Sequence, residues 1–181
     1  GFNIGAATMP HGVVNNPHLH FTAEVFICTR GSFRMTVGEH GEQQLDVGPG
    51  TVFSVPTWVF RGFENLGADG PDGAWMFTVL GGDDTGGIIW APRVLRAAAE
   101  TGLHLASDWS VVEANGTKPA DTIEPFTPEQ LAGLDTYSDA ELEARVARPD
   151  ALAWSSEALL SGVLDGHRCS LAPAIGNGFS E

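Results

Sequence analysis

Residues 12–31 read Gly-Val-Val-Asn-Asn-Pro-His-Leu-His-Phe-Thr-Ala-Glu-Val-Phe-Ile-Cys-Thr-Arg-Gly, and the spacing of three of them decides the fold. His18, His20 and Glu24 all carry even numbers in a stretch rich in Phe, Val, Ile and Thr. A strand sends alternate side chains to one face, so a single strand over 18–29 would present all three together. Two imidazoles and a carboxylate converging on one point form a facial set for a divalent transition ion, open on the far side to substrate or oxygen.

Outward from this stretch, the chain up to residue 82 is written in strands and turns. Alternating apolar runs predict strands at 2–8, 18–29, 33–37, 43–47, 51–55, 58–63 and 75–80. Between them stand Gly31-Ser32, Gly38-Glu39-His40-Gly41 and Gly48-Pro49-Gly50, the punctuation of tight reversals. Many short strands joined by Gly-rich turns indicate an all-β sandwich or barrel. After the boundary loop 81–87 the grammar changes. Pro92 to Glu100 reads as a helix stopped by Gly102. Thr127 with Gln130, and Ser138 with Glu141, are capping boxes that open two more. A further helix is expected over 151–164, and an extended piece over 166–174.

The first stretch has the form G, five residues, HxH, three residues, E, six residues, G, filled by Gly12, His18, His20, Glu24 and Gly31. It resembles the first motif of the cupin superfamily at every defining position. That family's second motif runs G, five residues, P, one residue, G, two residues, H, three residues, N. Gly50, Pro56 and Asn65 fall at those spacings, while Trp58 stands where the family has Gly and Arg61 where it has a fourth ligand, His. The resemblance covers about residues 2–82. It implies a mainly β fold: a cupin-type jelly-roll barrel over 1–82, with a mostly helical C-terminal extension over 83–181. The extension would pack on the barrel or lead to a further barrel. The metal would sit inside the barrel, held by His18, His20 and Glu24, as Fe(II) or as Mn, Ni or Zn.

Arginine is permanently protonated and cannot ligate a metal, so Arg61 admits three accounts. It binds an anionic group of the substrate or a reduced oxygen species beside a three-ligand ion. Alternatively it takes over the ion's electrostatic role and pairs with Glu24 around a degenerate site. In the third account it points out of the barrel.

The whole chain bounds these readings. Its 181 residues suit one domain with an appendage, and 43% hydrophobic residues suit a packed core. A formal charge of −14 disfavours partners with a phosphate backbone or an anionic membrane surface. No apolar run reaches membrane-spanning length. Cys28 and Cys169 lie far apart and outside any CxxC pattern, which predicts reduced thiols and a cytoplasmic setting. His11, His40, His104 and His167 lack ligand-like neighbours and read as loop or surface residues. Trp58, Trp75 and Trp90 could stack on an aromatic substrate or fill core and interface. Only eleven residues precede Gly12, so strand exchange in a homodimer is expected to cover an open barrel edge.

These features predict a metal-dependent enzyme, a non-haem oxygenase of dioxygenase type, acting on a small organic substrate, anionic or aromatic. Arg61 would fix the substrate. The rival readings are a non-catalytic ligand-binding or dimerisation module, and a redox-neutral isomerase or lyase.

Overall fold

A computed structural model of the chain describes residues 1–68, 73–83, 87–114 and 116–148. Nine strands come first: β1 Phe2–Ala7, β2 Val14–His20, β3 Glu24–Arg30, β4 Phe33–Val37, β5 Gln43–Val47, β6 Val52–Val55, β7 Arg61–Asn65, β8 Trp75–Gly81 and β9 Ile88–Trp90. Then follow α1 Pro92–Glu100, β10 Leu103–Leu105, β11 Val111–Glu113, α2 Pro128–Ala132, α3 Asp139–Glu143 and β12 Val146–Ala147. Two five-stranded antiparallel sheets face each other. The first has the order β1-β8-β3-β6-β12 and the second β5-β4-β7-β2-β9, while β10 and β11 form a separate ribbon. The fold is mainly β, as the turn-rich first half predicts.

Alternation builds the core. On β4, Phe33, Met35 and Val37 are buried while Arg34 and Thr36 are half-buried. Phe26, Phe53 and Met76 from the first sheet meet Phe33, Met35 and Phe63 from the second. The Phe26 and Phe63 rings pack edge to face at 5.8 Å across the gap, a preferred geometry for aromatic pairs. A second cluster lies on the outer face of sheet two, where Leu19, Phe60, Ile89 and Ala91 are covered by Phe126, Leu131 and Leu134.

Two predicted strands change. The run 18–29 is not one strand: the chain turns at 21–23, so β2 lies in sheet two and β3 in sheet one. The turn contains neither Gly nor Pro. Phe21 sits there between Trp58 at 5.1 Å and Trp109 at 5.5 Å, and these contacts hold the reversal. The run 58–63 becomes a turn followed by β7, because Trp58 has a φ of 62°. The backbone at the family's glycine position thus keeps its left-handed conformation with a bulky side chain in place, a strained arrangement.

Residues 83–148, read from the sequence as helical, contain the three helices and also complete both sheets. β9 pairs with β2 through His18↔Trp90, Leu19↔Ile89 and His20↔Ile88. β12 pairs with β6 through Val146↔Phe53 and Ala147↔Val52. α1 ends where Gly102 takes a φ of +81°, and both expected capping boxes form. The helix expected at 151–164, the extended piece at 166–174, His167 and Cys169 lie outside the described residues.

Candidate metal centre

The site is assembled from both sheets at one end of the barrel. On β2, His18 and His20 point inward while Leu19 between them is buried on the outer face. Glu24 opens β3 and reaches in from the opposite wall, in register with Leu80 and Val55. The three residues singled out by their spacing thus lie together, but for a partly different reason. Alternation explains the two histidines, and the turn at 21–23 brings the carboxylate to them. Their ligand atoms all lie within 4.8 Å of one another, and all three residues are buried.

Beside them stands Arg61, paired with His18 on one side and Val37 on the other, so its side chain shares their face of the sheet. It has no solvent exposure at all, which removes the account in which it points out of the barrel. Nη2 donates to the Pro56 carbonyl, while Nε and Nη1 are buried without a hydrogen-bond partner. Among the described residues there is no Arg61–Glu24 contact at ion-pair distance. The position depends on a bulge in β2 between Asn15 and His18, which contains Pro17. This bulge packs so tightly on β7 that a Cβ on Gly62 would lie 2.6 Å from the Asn15 carbonyl oxygen.

The electrostatics favour ligation. Burial lowers the His18 pKa to about 4, against a raising hydrogen bond at Asn16 and with help from Arg61. Burial likewise takes His20 to about 3, with His18 and Arg61 adding to the effect and the Gly87 backbone opposing it. Both imidazoles are neutral at neutral pH. The 3.5 Å approach of His20 Nε2 to Glu24 Oε2 is therefore a meeting of two ligand groups and not an ion pair. His18 Nδ1 lies 2.8 Å from the Asn16 carbonyl oxygen. A carbonyl only accepts, so Nδ1 carries the proton and Nε2 is left with its lone pair, as a metal-binding histidine requires. Burial pushes Glu24 up to about 7, against the pull of Arg61, and its Oε2 has no hydrogen-bond partner. Two neutral nitrogens and an orphaned carboxylate oxygen within one ångström-scale cluster fit a divalent transition ion.

The remaining expectations sort themselves by position. His11 is exposed, and its Nδ1 donates to the Gly67 carbonyl at 2.9 Å, beyond the far end of β7 from Arg61. His40 is exposed in its hairpin turn. Cys28 is a free buried thiol facing the core, its pKa raised by burial. Trp75 lies on the outer face near Phe77, and the Trp58 ring rests on Phe21, while the Trp58 backbone N–H donates to the His20 carbonyl at 3.2 Å. Trp90 packs on the triad, its ring 5.1 Å from that of His18. The sequence signal for that contact was the apolar run Ile88-Ile89-Trp90 after Gly87, a short strand hidden behind the loop. A cleft of about 410 Å³ between Trp58, Phe60, Leu131 and Tyr137 contains none of the four site residues.

Residues 6–74 match the family model of the cupin domain, and this segment of the chain is a member of the cupin superfamily. Among solved structures, oxalate oxidase aligns at 22% identity over 52% of this chain and 48% of its own length, with a TM-score of 0.43. Oxalate decarboxylase from Bacillus subtilis, described with Mn(II) centres, aligns at 24% identity over 46% of this chain and 21% of its own, with a TM-score of 0.38. A cupin superfamily protein from Desulfitobacterium hafniense aligns at 16% identity over 44% of this chain and 65% of its own, with a TM-score of 0.37. The chain thus spans about half the length of the oxidase and about a fifth of the decarboxylase. No curated protein sequence matches it. Among the described residues no helix is long and apolar enough to cross a membrane.

Proposed function

We propose that this protein is a metal-dependent cupin enzyme that acts on a small organic anion, with oxygenase chemistry of the dioxygenase type as its reaction. One observation carries the reading. His18, His20 and Glu24 converge inside the barrel, buried beside a guanidinium with two unpartnered nitrogens. His18, His20 and Glu24 would hold a divalent transition ion, Fe(II) foremost, which would supply Lewis acidity and redox capacity there. Arg61 binds the anionic head of the substrate and sets its orientation toward the triad. Asn16, through its carbonyl, keeps His18 in the tautomer that offers Nε2. The apolar walls exclude bulk water, which strengthens each of these contacts. The near-complete burial of the triad favours small substrates over bulky aromatic ones, and the free thiol of Cys28 suits a reducing cytoplasm.

The test is substitution with metal analysis. His18→Ala and His20→Ala should abolish metal content and turnover together, while Arg61→Ala should chiefly raise KM. Oxygen consumption coupled to substrate loss distinguishes an oxygenase from a redox-neutral cupin. Full turnover in either histidine variant would refute the reading.

A further inference from the structure

Resting on the metal-centre reading above, the charge balance of the pocket leads one step further. A ligating carboxylate is ionised and ligating imidazoles are neutral, so the three ligands sum to −1. Arg61 adds +1, and Glu24 is the carboxylate that acts on it. With Glu24 ionised the set is neutral, and it carries +2 once a divalent ion is held. His18, His20 and Glu24 are only 4–7% exposed and Arg61 not at all, so water does little to screen that charge. Had a neutral histidine stood at position 61, the loaded centre would carry only +1. Nε and Nη1 of Arg61 also have no acceptor in the protein, and buried donors are normally satisfied. Both deficits, of negative charge and of acceptor oxygens, are met by one ligand.

We infer that a divalent ion and a small carboxylate dianion bind this pocket cooperatively, each raising the affinity for the other, with Arg61 as the coupling residue. The dianion brings the charge back to zero and offers oxygens to Arg61. A monoanion corrects half of the imbalance and couples less strongly. By linkage the effect is reciprocal: the metal tightens the anion by the same factor as the anion tightens the metal.

The experiment uses the full chain stripped of metal and titrated with Mn(II), free aqueous ion being followed by electron paramagnetic resonance. Titrations run in carboxylate-free buffer, with malonate and with formate, each corrected by a protein-free titration against complexation in solution. Mn(II) should bind about 10- to 100-fold tighter with saturating malonate, the usual size of such coupling, and less so with formate. Arg61→Met should bind Mn(II) more tightly than the wild type without anion, and lose most of the malonate dependence. Arg61→Lys, which keeps the charge, should retain it. Equal Mn(II) affinity in all three wild-type titrations overturns the coupling while leaving the metal centre intact. Malonate dependence unchanged in Arg61→Met overturns the role of Arg61. No Mn(II) uptake by folded wild type in any titration overturns the metal centre itself. Should Arg61→Met fail to fold, calorimetry of malonate binding to wild type with and without Mn(II) gives the reciprocal factor, and a factor of one overturns the inference.

Discussion

Burying Arg61 beside Glu24 and two imidazoles shifts the protonation of all four groups, and the shifts act on stability in opposite directions. Glu24 rises to about 7 because burial opposes its charge. Its unfolded value lies near 4.5, so its contribution to folding is complete below that value and is lost as the pH rises through 7. Glu24→Gln cannot ionise. Its metal-free form should therefore melt at a higher temperature than metal-free wild type at pH 8, and at the same temperature near pH 4. The histidines run the other way. Their contribution is complete above 6.5 and is lost as the pH falls toward 4 for His18 and 3 for His20. Two imidazoles outweigh one carboxyl between 4.5 and 6.5, so this cluster places the Tm maximum of the metal-free protein between 6.5 and 7. Calorimetric scans of both proteins from pH 4 to 8 check the sign. All four residues were legible in the sequence, because ligand chemistry restricts which residue types can stand at those spacings. The direction of Arg61 was not, since it depends on the Asn15–His18 bulge and the turn at Trp58, which side-chain periodicity does not record.

At the scale of elements, the turns are more demanding than the strands they join. Gly31 connects β3 to β4 with a φ of +71°, and an added Cβ would lie 2.6 Å from the Ala74 Cα. Both the left-handed backbone and the backbone clash oppose any side chain. Gly31→Ala should lower stability by about 1–3 kcal/mol, the range for overpacking against an unyielding neighbour, as urea unfolding would show through a shifted midpoint and an unchanged slope. The helical elements were readable because α1, α2 and α3 carry their own start and stop signals, such as Thr127 with Gln130. The break between β2 and β3 was not. Phe21, Thr22 and Ala23 all fit a strand locally, and what bends the chain there is contact with Trp58 and Trp109, the latter 88 residues on by its number. Trp109 also has a positive φ, 70°, so both tryptophans that flank Phe21 sit in strained backbone. Strain of this kind, beside the segment that spaces His20 from Glu24, is typical of positions fixed by their surroundings.

For the whole molecule, the edge of sheet one is the exposed feature that matters for assembly. Among the described residues β1 leaves one side unpaired, and Phe2 and Ile4 on it are 65% and 63% exposed. Residues 1–9 contain no charged side chain, on a chain that carries −14 overall. Edge strands are usually guarded by charge, and an uncharged one is where two acidic copies can meet without repulsion. The wild type should therefore run as a dimer in light scattering, and Ile4→Lys as a monomer with little change in Tm; a monomeric wild type would remove this expectation. The opposite edges are closed in another way. β9 and β12 come from beyond residue 87 and line the sheets beside β2 and β6, so the segment recognised as a cupin domain lacks one border of each sheet. This has a consequence for biosynthesis. A ribosome adding about 5–20 residues per second takes on the order of several seconds to pass from the end of β8 to β12. Throughout that interval the nascent barrel exposes ladder groups that its own later sequence will occupy, and a cut made after Gly82 would leave it in that condition permanently.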